Sequence, residues 1–204
     1  MINVAILGVG FGRSHLAAYR NLKDNFTVSI IVARNPMRVE SIRQEGDTFE
    51  VLDDIDDALE DSDVDVIDIC LPPHMHADVT KRALQAGKHV ICEKPLAMSM
   101  SDVDEIRQVA LATDRKVYPV FQFRWEPSIL ELRRDVESGM TGQLQVATLE
   151  THWSRGQDYY DKSWRGECGA VLNHAIHNHD ILTHIAGEVA RVSAFTTTRI
   201  NDIE

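Results

Sequence analysis

Three groups of residues in this 204-residue chain could carry chemistry. The first is Glu93-Lys94-Pro95, directly after the apolar run Val90-Ile91-Cys92. A short apolar run that meets its polar residues only at its carboxyl end reads as a buried parallel strand. Ligands of open α/β sheets lie at the carboxyl ends of the strands, so Lys94 stands where a developing negative charge could be met. Pro95 restricts the backbone beside it, and a Lys-Pro bond can be cis. The plain alternative is a solvated lysine on a surface loop.

The second group is the turn Gly8-Val9-Gly10-Phe11-Gly12, between the apolar run Ile2–Leu7 and a helix-like run from Ser14 to Leu22. Strand, glycine turn and helix form a dinucleotide-binding pattern, in which glycines let the backbone approach a pyrophosphate at a helix amino terminus. The usual spacing puts a third small residue at position 13, which is Arg13 here. Gly12 or Ser14 must then supply the close helix–strand contact, or the turn is one residue tighter. A second strand, Val28 to Ala33, ends in Arg34-Asn35 with no acid to hold a ribose 2′-hydroxyl. Arg34 can pair with a 2′-phosphate or lie on an adenine face, which favours NADP over NAD. Otherwise it only opens the loop before a Pro36–Glu45 helix.

The elements that must position these groups follow in order. The aspartate-rich stretch 53–68 lacks the glycine of a calcium loop; Ile55, Ala58 and Leu59 at helical spacing make it a solvated acidic helix. It leads into a strand, Val64–Leu71, ended by Pro72-Pro73-His74-Met75-His76. A helix over about Ala77–Ala86 then places His76 at its start, on the sheet edge that carries the glycine turn. The stretch from His89 follows, then a helix over Ser101–Thr113 with Asp104 as its capping partner, and a strand over Lys116–Phe121. Alternating strand and helix make residues 1–123 a doubly wound nucleotide-binding domain. Beyond Arg124 the alternation stops: a helix from Pro127 to Gly139, a β-like run Gln143–Trp153, a helix through His184, and a second long strand, Arg191–Ile200. Residues 124–204 are expected to begin an α+β domain with an open, mainly antiparallel sheet, incomplete because two strands are too few; the chain reads as part of a longer protein.

A net charge of -11 excludes the basic face that nucleic acid needs. Cys70, Cys92 and Cys168 show no framework spacing, so reduced thiols and a cytoplasmic protein are expected. No apolar run reaches membrane length and a strand starts at residue 2, so neither a membrane span nor a signal peptide is expected.

The third group is a set of histidines: His152, His174, His177, His179 and His184. His174 and His177 lie three apart with Asp180 beyond, but the glutamate of zinc-hydrolase helices and a second cysteine are missing, so no metal is assigned. Asn173, His177, Asp180 and His184 instead form one polar stripe on a helix whose other faces are apolar. Such a stripe requires a partner, either ligand and water or another polar surface.

Taken in order, the glycine turn with His15, Pro72-Pro73 and His76, Cys92-Glu93-Lys94-Pro95, and Gly169 to Asn173 followed by His177 and Asp180 resemble the glucose–fructose oxidoreductase / inositol dehydrogenase family of nicotinamide-dependent dehydrogenases. The resemblance runs along essentially the whole chain. It implies hydride transfer between NADP or NAD and a carbinol carbon of a sugar, polyol or sugar derivative, with the second domain covering the nicotinamide and its sheet forming a dimer or tetramer interface. Lys94 and His177 match the family's catalytic lysine and histidine: Lys94 would stabilise charge on the oxygen, and His177, ordinarily titrating near ~6.5, would move the proton. Gly8, Gly10, Phe11, Gly12, Arg34, Pro72, His76, Glu93 and Lys94 are the candidate cofactor residues; Arg124, Trp164, Arg165, Asn173 and His177 are the candidate substrate contacts. Asn173 replaces the aspartate of many members, so it can bond a hydroxyl but not take its proton. Glu167-Cys168 falls where members are glycine-rich. The alternative from another class is a non-catalytic nucleotide- or sugar-sensing regulator with the same fold; a metal-dependent hydrolase ranks below it.

Overall fold

A computed structural model describes residues 1–153, 155–161 and 163–195. The chain divides into two compact units, Met1–Val120 and Phe121–Glu204.

The first unit runs β1 (Ile2–Leu7), α1 (Gly12–Asn21), β2 (Phe26–Val32), α2 (Pro36–Glu40), β3 (Glu50–Leu52), α3 (Ile55–Glu60), β4 (Val66–Ile69), α4 (Pro73–Gln85), β5 (His89–Cys92), α5 (Met100–Thr113) and β6 (Val117–Pro119). The strands form one six-stranded sheet in the order β3-β2-β1-β4-β5-β6, and every pairing is parallel. Chain direction therefore reverses its spread between β1 and β4, which opens a crevice at their carboxyl ends. The central strands are apolar without alternation because helices cover both faces. Along β1, Val4 and Ile6 enter one core with Leu16, Tyr19, Ile31 and Val66, while Ala5 and Leu7 enter another with Ile67, Ile69, Val79 and Leu84.

Several boundaries differ from the sequence expectation. β3 has only three residues and carries no periodicity to reveal it. α4 begins at Pro73 rather than Ala77, since proline suits the first helical position, where its missing N–H costs nothing. α2 ends at Glu40, not Glu45. The cap of α5 is Ser99, whose hydroxyl accepts from the Asp102 N–H and donates to the Asp102 carboxylate; the reciprocal partner is Asp102, not Asp104. The Lys94–Pro95 bond is cis.

The second unit contains a 3₁₀ turn at Gln122–Trp125, α6 (Pro127–Glu137), α7 (Gln157–Tyr160), α8 (Ser163–Ala170, broken at Gly169 with φ 62°), a π turn at Val171–Ala175, and α9 (Ile176–Ala186). The two β-like runs are not strands among the described residues. Residues 143–153 and 191–195 pair with no ladder, and 196–200 lie outside the described residues. β-propensity is satisfied only against a cross-strand partner, so the expected antiparallel sheet is not seen here.

Candidate functional site

The glycine turn leaves β1 at the sheet's reversal point. Gly8 has φ 93°, and a Cβ there would stand 2.8 Å from the carbonyl oxygen of Cys70, so only glycine fits. A Cβ on Gly12 would meet Ile6 Cγ2 at 2.9 Å. Gly12, not Ser14, therefore makes the close helix–strand contact. A Cβ on Gly10 would meet only open space. No side chain caps α1, and no acid sits in its first turn, so its leading N–H groups and positive dipole end face an approach that Gly10 leaves clear. These features fit a dinucleotide pyrophosphate. Phe11 is exposed at the lip of the turn.

The flanking candidates are more varied. Arg34 is exposed just past β2, and the equally exposed Asn35 accepts the Met37 N–H as the cap of α2. Pro72 precedes α4. His76 is fully buried and faces main chain on both sides: Nδ1 lies 2.7 Å from the Pro95 carbonyl and Nε2 lies 2.8 Å from the Leu71 carbonyl. Its ring serves the protein interior.

Beneath the turn lies a network that the sequence did not reveal. Asp68 sits inside β4 with no exposure, and a buried carboxylate must be paired or protonated. His15 Nδ1 approaches its two oxygens at 3.0 and 2.9 Å, the Tyr19 hydroxyl donates to it at 2.9 Å, and the Cys70 thiol approaches at 3.6 Å. The other His15 nitrogen lies 3.2 Å from Glu93 Oε1, and the second Glu93 oxygen accepts the Lys94 N–H at 3.1 Å. Burial opposes a charge on His15, but hydrogen bonds to Asp68, Cys70 and Glu93, with the charge of Asp68, outweigh it and raise its pKa to about 12. Burial lifts the Cys70 thiol to about 12, opposed by its hydrogen bond to His15; burial and Asp68 also push the Tyr19 hydroxyl up. His15, Asp68 and Cys70 have the proximity of a metal-ligand set. The available signal was Asp68 itself, an acid inside an otherwise apolar strand.

In the second unit the polar stripe finds protein partners. Arg124 donates from Nε to both Asp180 oxygens at 2.9 and 2.7 Å, and Nη2 adds a third contact. Arg133 reaches the His184 ring at 2.9 Å; burial foremost, then the charges of Arg133 and Arg124, holds the His184 pKa down. His177 is buried against the rings of Phe123 and Phe121, with centroids 4.6 and 6.2 Å away. Asn173 donates to the Tyr159 hydroxyl at 3.3 Å. The Arg165 guanidinium lies 4.3 Å from the Tyr159 ring and 4.6 Å from that of Trp164. Among the candidate substrate contacts, Arg124 is thus committed to Asp180, whereas Arg165 and Asn173 meet at Tyr159 and Trp164 lies against Arg165.

Comparison with known proteins finds matches along both parts of the chain. Residues 2–121 match the oxidoreductase family with an NAD-binding Rossmann fold, and residues 129–204 match the GFO/IDH/MocA C-terminal domain. The levoglucosan dehydrogenase of Pseudarthrobacter phenanthrenivorans is 29% identical over 98% of this chain and 55% of its own length. The 2,7-anhydro-N-acetylneuraminate hydratase of Escherichia coli is 25% identical over 93% of this chain and 50% of its own. The WlbA dehydrogenase of Bordetella pertussis, solved with NADH and UDP-GlcNAcA, superposes with a TM-score of 0.83 over 91% of this chain and 55% of that one; at 23% identity this likeness is one of fold. The chain spans about half the length of the curated relatives it matches. With both family regions matched in order, and the glycine turn and Glu93-Lys94-Pro95 at one edge of a parallel sheet, the chain belongs to the GFO/IDH/MocA oxidoreductase family.

Proposed function

We propose that this chain supplies the nucleotide-binding domain and the first part of the substrate domain of an NAD(P)-dependent oxidoreductase acting on a carbinol carbon of a sugar, polyol or sugar derivative. The observation that carries the reading is the uncapped amino terminus of α1 behind an open Gly10, on the sheet edge from which Lys94 emerges. A bound nicotinamide supplies hydride transfer. The protein's part is to hold the pyrophosphate at Gly8–Gly12, to stabilise charge on the substrate oxygen through the Lys94 ammonium, and to move that oxygen's proton through His177. Asn173, Trp164 and Arg165 are proposed to hold the substrate, and the second unit is proposed to build the open sheet through which copies associate.

The cofactor is proposed to be NADP in preference to NAD. β2 is followed by Arg34 and a capping Asn35, so no acid meets the ribose. A charge-assisted contact between Arg34 and a 2′-phosphate contributes up to about 3 kcal/mol. Titration of the chain with NADH and NADPH, followed by nicotinamide fluorescence, should show tighter NADPH binding that Arg34→Ala abolishes. Tighter NADH binding, unchanged in the variant, would refute the preference. Turnover itself is tested by screening sugars and polyols with both nucleotides in the full protein. Lys94→Met should lose about two to three orders of magnitude; undiminished turnover would remove Lys94 from the proposed mechanism, and wild type that binds the nucleotide but turns over none of the compounds would favour a sensor. The hydratase among the relatives makes product identification, not only reduced-cofactor absorbance, part of that screen.

A further inference from the structure

We infer that His15 and His76 are positioning residues that clamp the main chain on either side of Lys94. The inference rests on the proposed role of Lys94, but its geometry lies wholly within the first unit. β5 ends at Cys92, and the Glu93 N–H still bonds the Ile69 carbonyl at 2.9 Å. Past that point the sheet ladder no longer holds the chain. Instead the Glu93 carboxylate reaches back to accept the Lys94 N–H, while its other oxygen is held by His15. The Pro95 carbonyl is held by His76. Each histidine is anchored on its far side to a rigid element: His15 to Asp68 of β4, His76 to the Leu71 carbonyl just after β4. Both anchors thus trace to the strand beside the crevice. A lysine that must meet one substrate oxygen needs its Cα fixed, because a shift of order 1 Å is enough to cost a large factor in rate.

The chemistry of the His15 site supports a clamp over simple core filling. Asp68 and Glu93 are both buried and would repel if nothing cationic stood between them. The groups facing His15 are Asp68, Glu93 and Cys70, with the Phe11 ring edge-on at 6.1 Å. A group serving only to fill space would be replaced at less cost by an apolar side chain, since a buried ion pair is often no more stable than a hydrophobic substitute.

The test is hydrogen–deuterium exchange by mass spectrometry on the unliganded chain, comparing wild type with His15→Leu, His76→Leu and the donor-keeping His15→Gln and His76→Gln. Exchange of the amides of Glu93, Lys94, Leu96 and Ala97 should accelerate about tenfold in each leucine variant, which corresponds to about 1.4 kcal/mol. β1 and α5 should keep wild-type protection, and His76→Gln should restore much of the loss. In the full protein, turnover should fall while NADPH affinity stays within about twofold. Unchanged exchange at 93–97, or an equal loss across the whole sheet, would overturn the clamp. If the leucine variants fail to fold, His15→Asn and His76→Asn, polar but too short to span both partners, carry the same two outcomes. Full turnover in Lys94→Met would overturn the proposed role of Lys94 and leave the exchange result standing, so the two readings fail separately.

Discussion

Asp68 makes an electrostatic demand that its neighbours must meet. It is a buried acid whose charge is met by His15, Tyr19 and Cys70. Because the folded state raises the His15 pKa from 6.5 to about 12, it holds that proton more tightly than the unfolded chain does. The resulting stability is fully present below pH ~6.5 and is lost as pH rises toward about 12. Cys70, raised in the same sense, adds to the loss above the ordinary thiol range. Urea unfolding at a series of pH values should therefore show stability falling from neutrality to pH ~10, with a shallower slope in Asp68→Asn; a flat wild-type profile would contradict the coupling. Gly8 makes a different demand. Its φ of 93° and the 2.8 Å approach to the Cys70 carbonyl mean that Gly8→Ala should cost about 1–3 kcal/mol or more. It should also weaken nucleotide binding, whereas Gly10→Ala, with open space around it, should affect binding and leave the melting temperature near wild type. Equal melting temperatures for the two variants would count against this reading of the turn.

At the scale of elements, the Arg124–Asp180 pair ties the 3₁₀ turn to α9. Asp180 is buried but the Arg124 side chain is 37% exposed, so solvent screens the pair, and leaving the carboxylate without this partner costs about 1–3 kcal/mol. Arg124→Ala should accordingly lower the melting temperature of the second unit well before it changes any substrate affinity. If Arg124→Ala instead melts like wild type and raises KM alone, Arg124 is a substrate contact. Stripe residues Asp180 and His184 could be seen to need partners from sequence, but not which ones. Arg124 and Arg133 reach their partners across 56 and 51 positions, and nothing local encodes such pairings. The same limit hid the role of His15, whose partners lie 53 and 78 positions away. What sequence did show was whatever is written locally: apolar β1 and β4, the glycine turn, and Lys94 emerging after β5. It misplaced the start of α4 because Pro72-Pro73 reads equally as a strand stop and a helix start. It missed β3 because three residues have no period. The β-like runs of the second unit mark the opposite failure, where strong local propensity met no partner strand.

For the molecule as a whole, the two units contrast in how they bury apolar surface. In the first, both sheet faces are covered and β1 has four residues with no exposure at all, Val4 to Leu7. In the second, Met140, Val146, Trp153, Val192 and Phe195 are exposed, Phe195 completely, along stretches with no ladder among the described residues. Exposed apolar side chains on backbone with unpaired N–H and C=O groups favour association through both surfaces. A net charge of -11 opposes that association at low ionic strength. Salt screens the repulsion within about 10 Å at 0.1 M and leaves the apolar contribution in place. Sedimentation of the 204-residue chain should therefore show self-association that strengthens with protein concentration and with added salt. Val146→Asp and Phe195→Glu, singly and together, should shift the equilibrium toward monomer without altering nucleotide binding to the first unit. A chain that sediments as a monomer at every concentration and salt would mean that these side chains are covered in solution by a second-unit structure other than the one described. Salt-dissociable oligomers would mean that charge, not apolar surface, drives the contact.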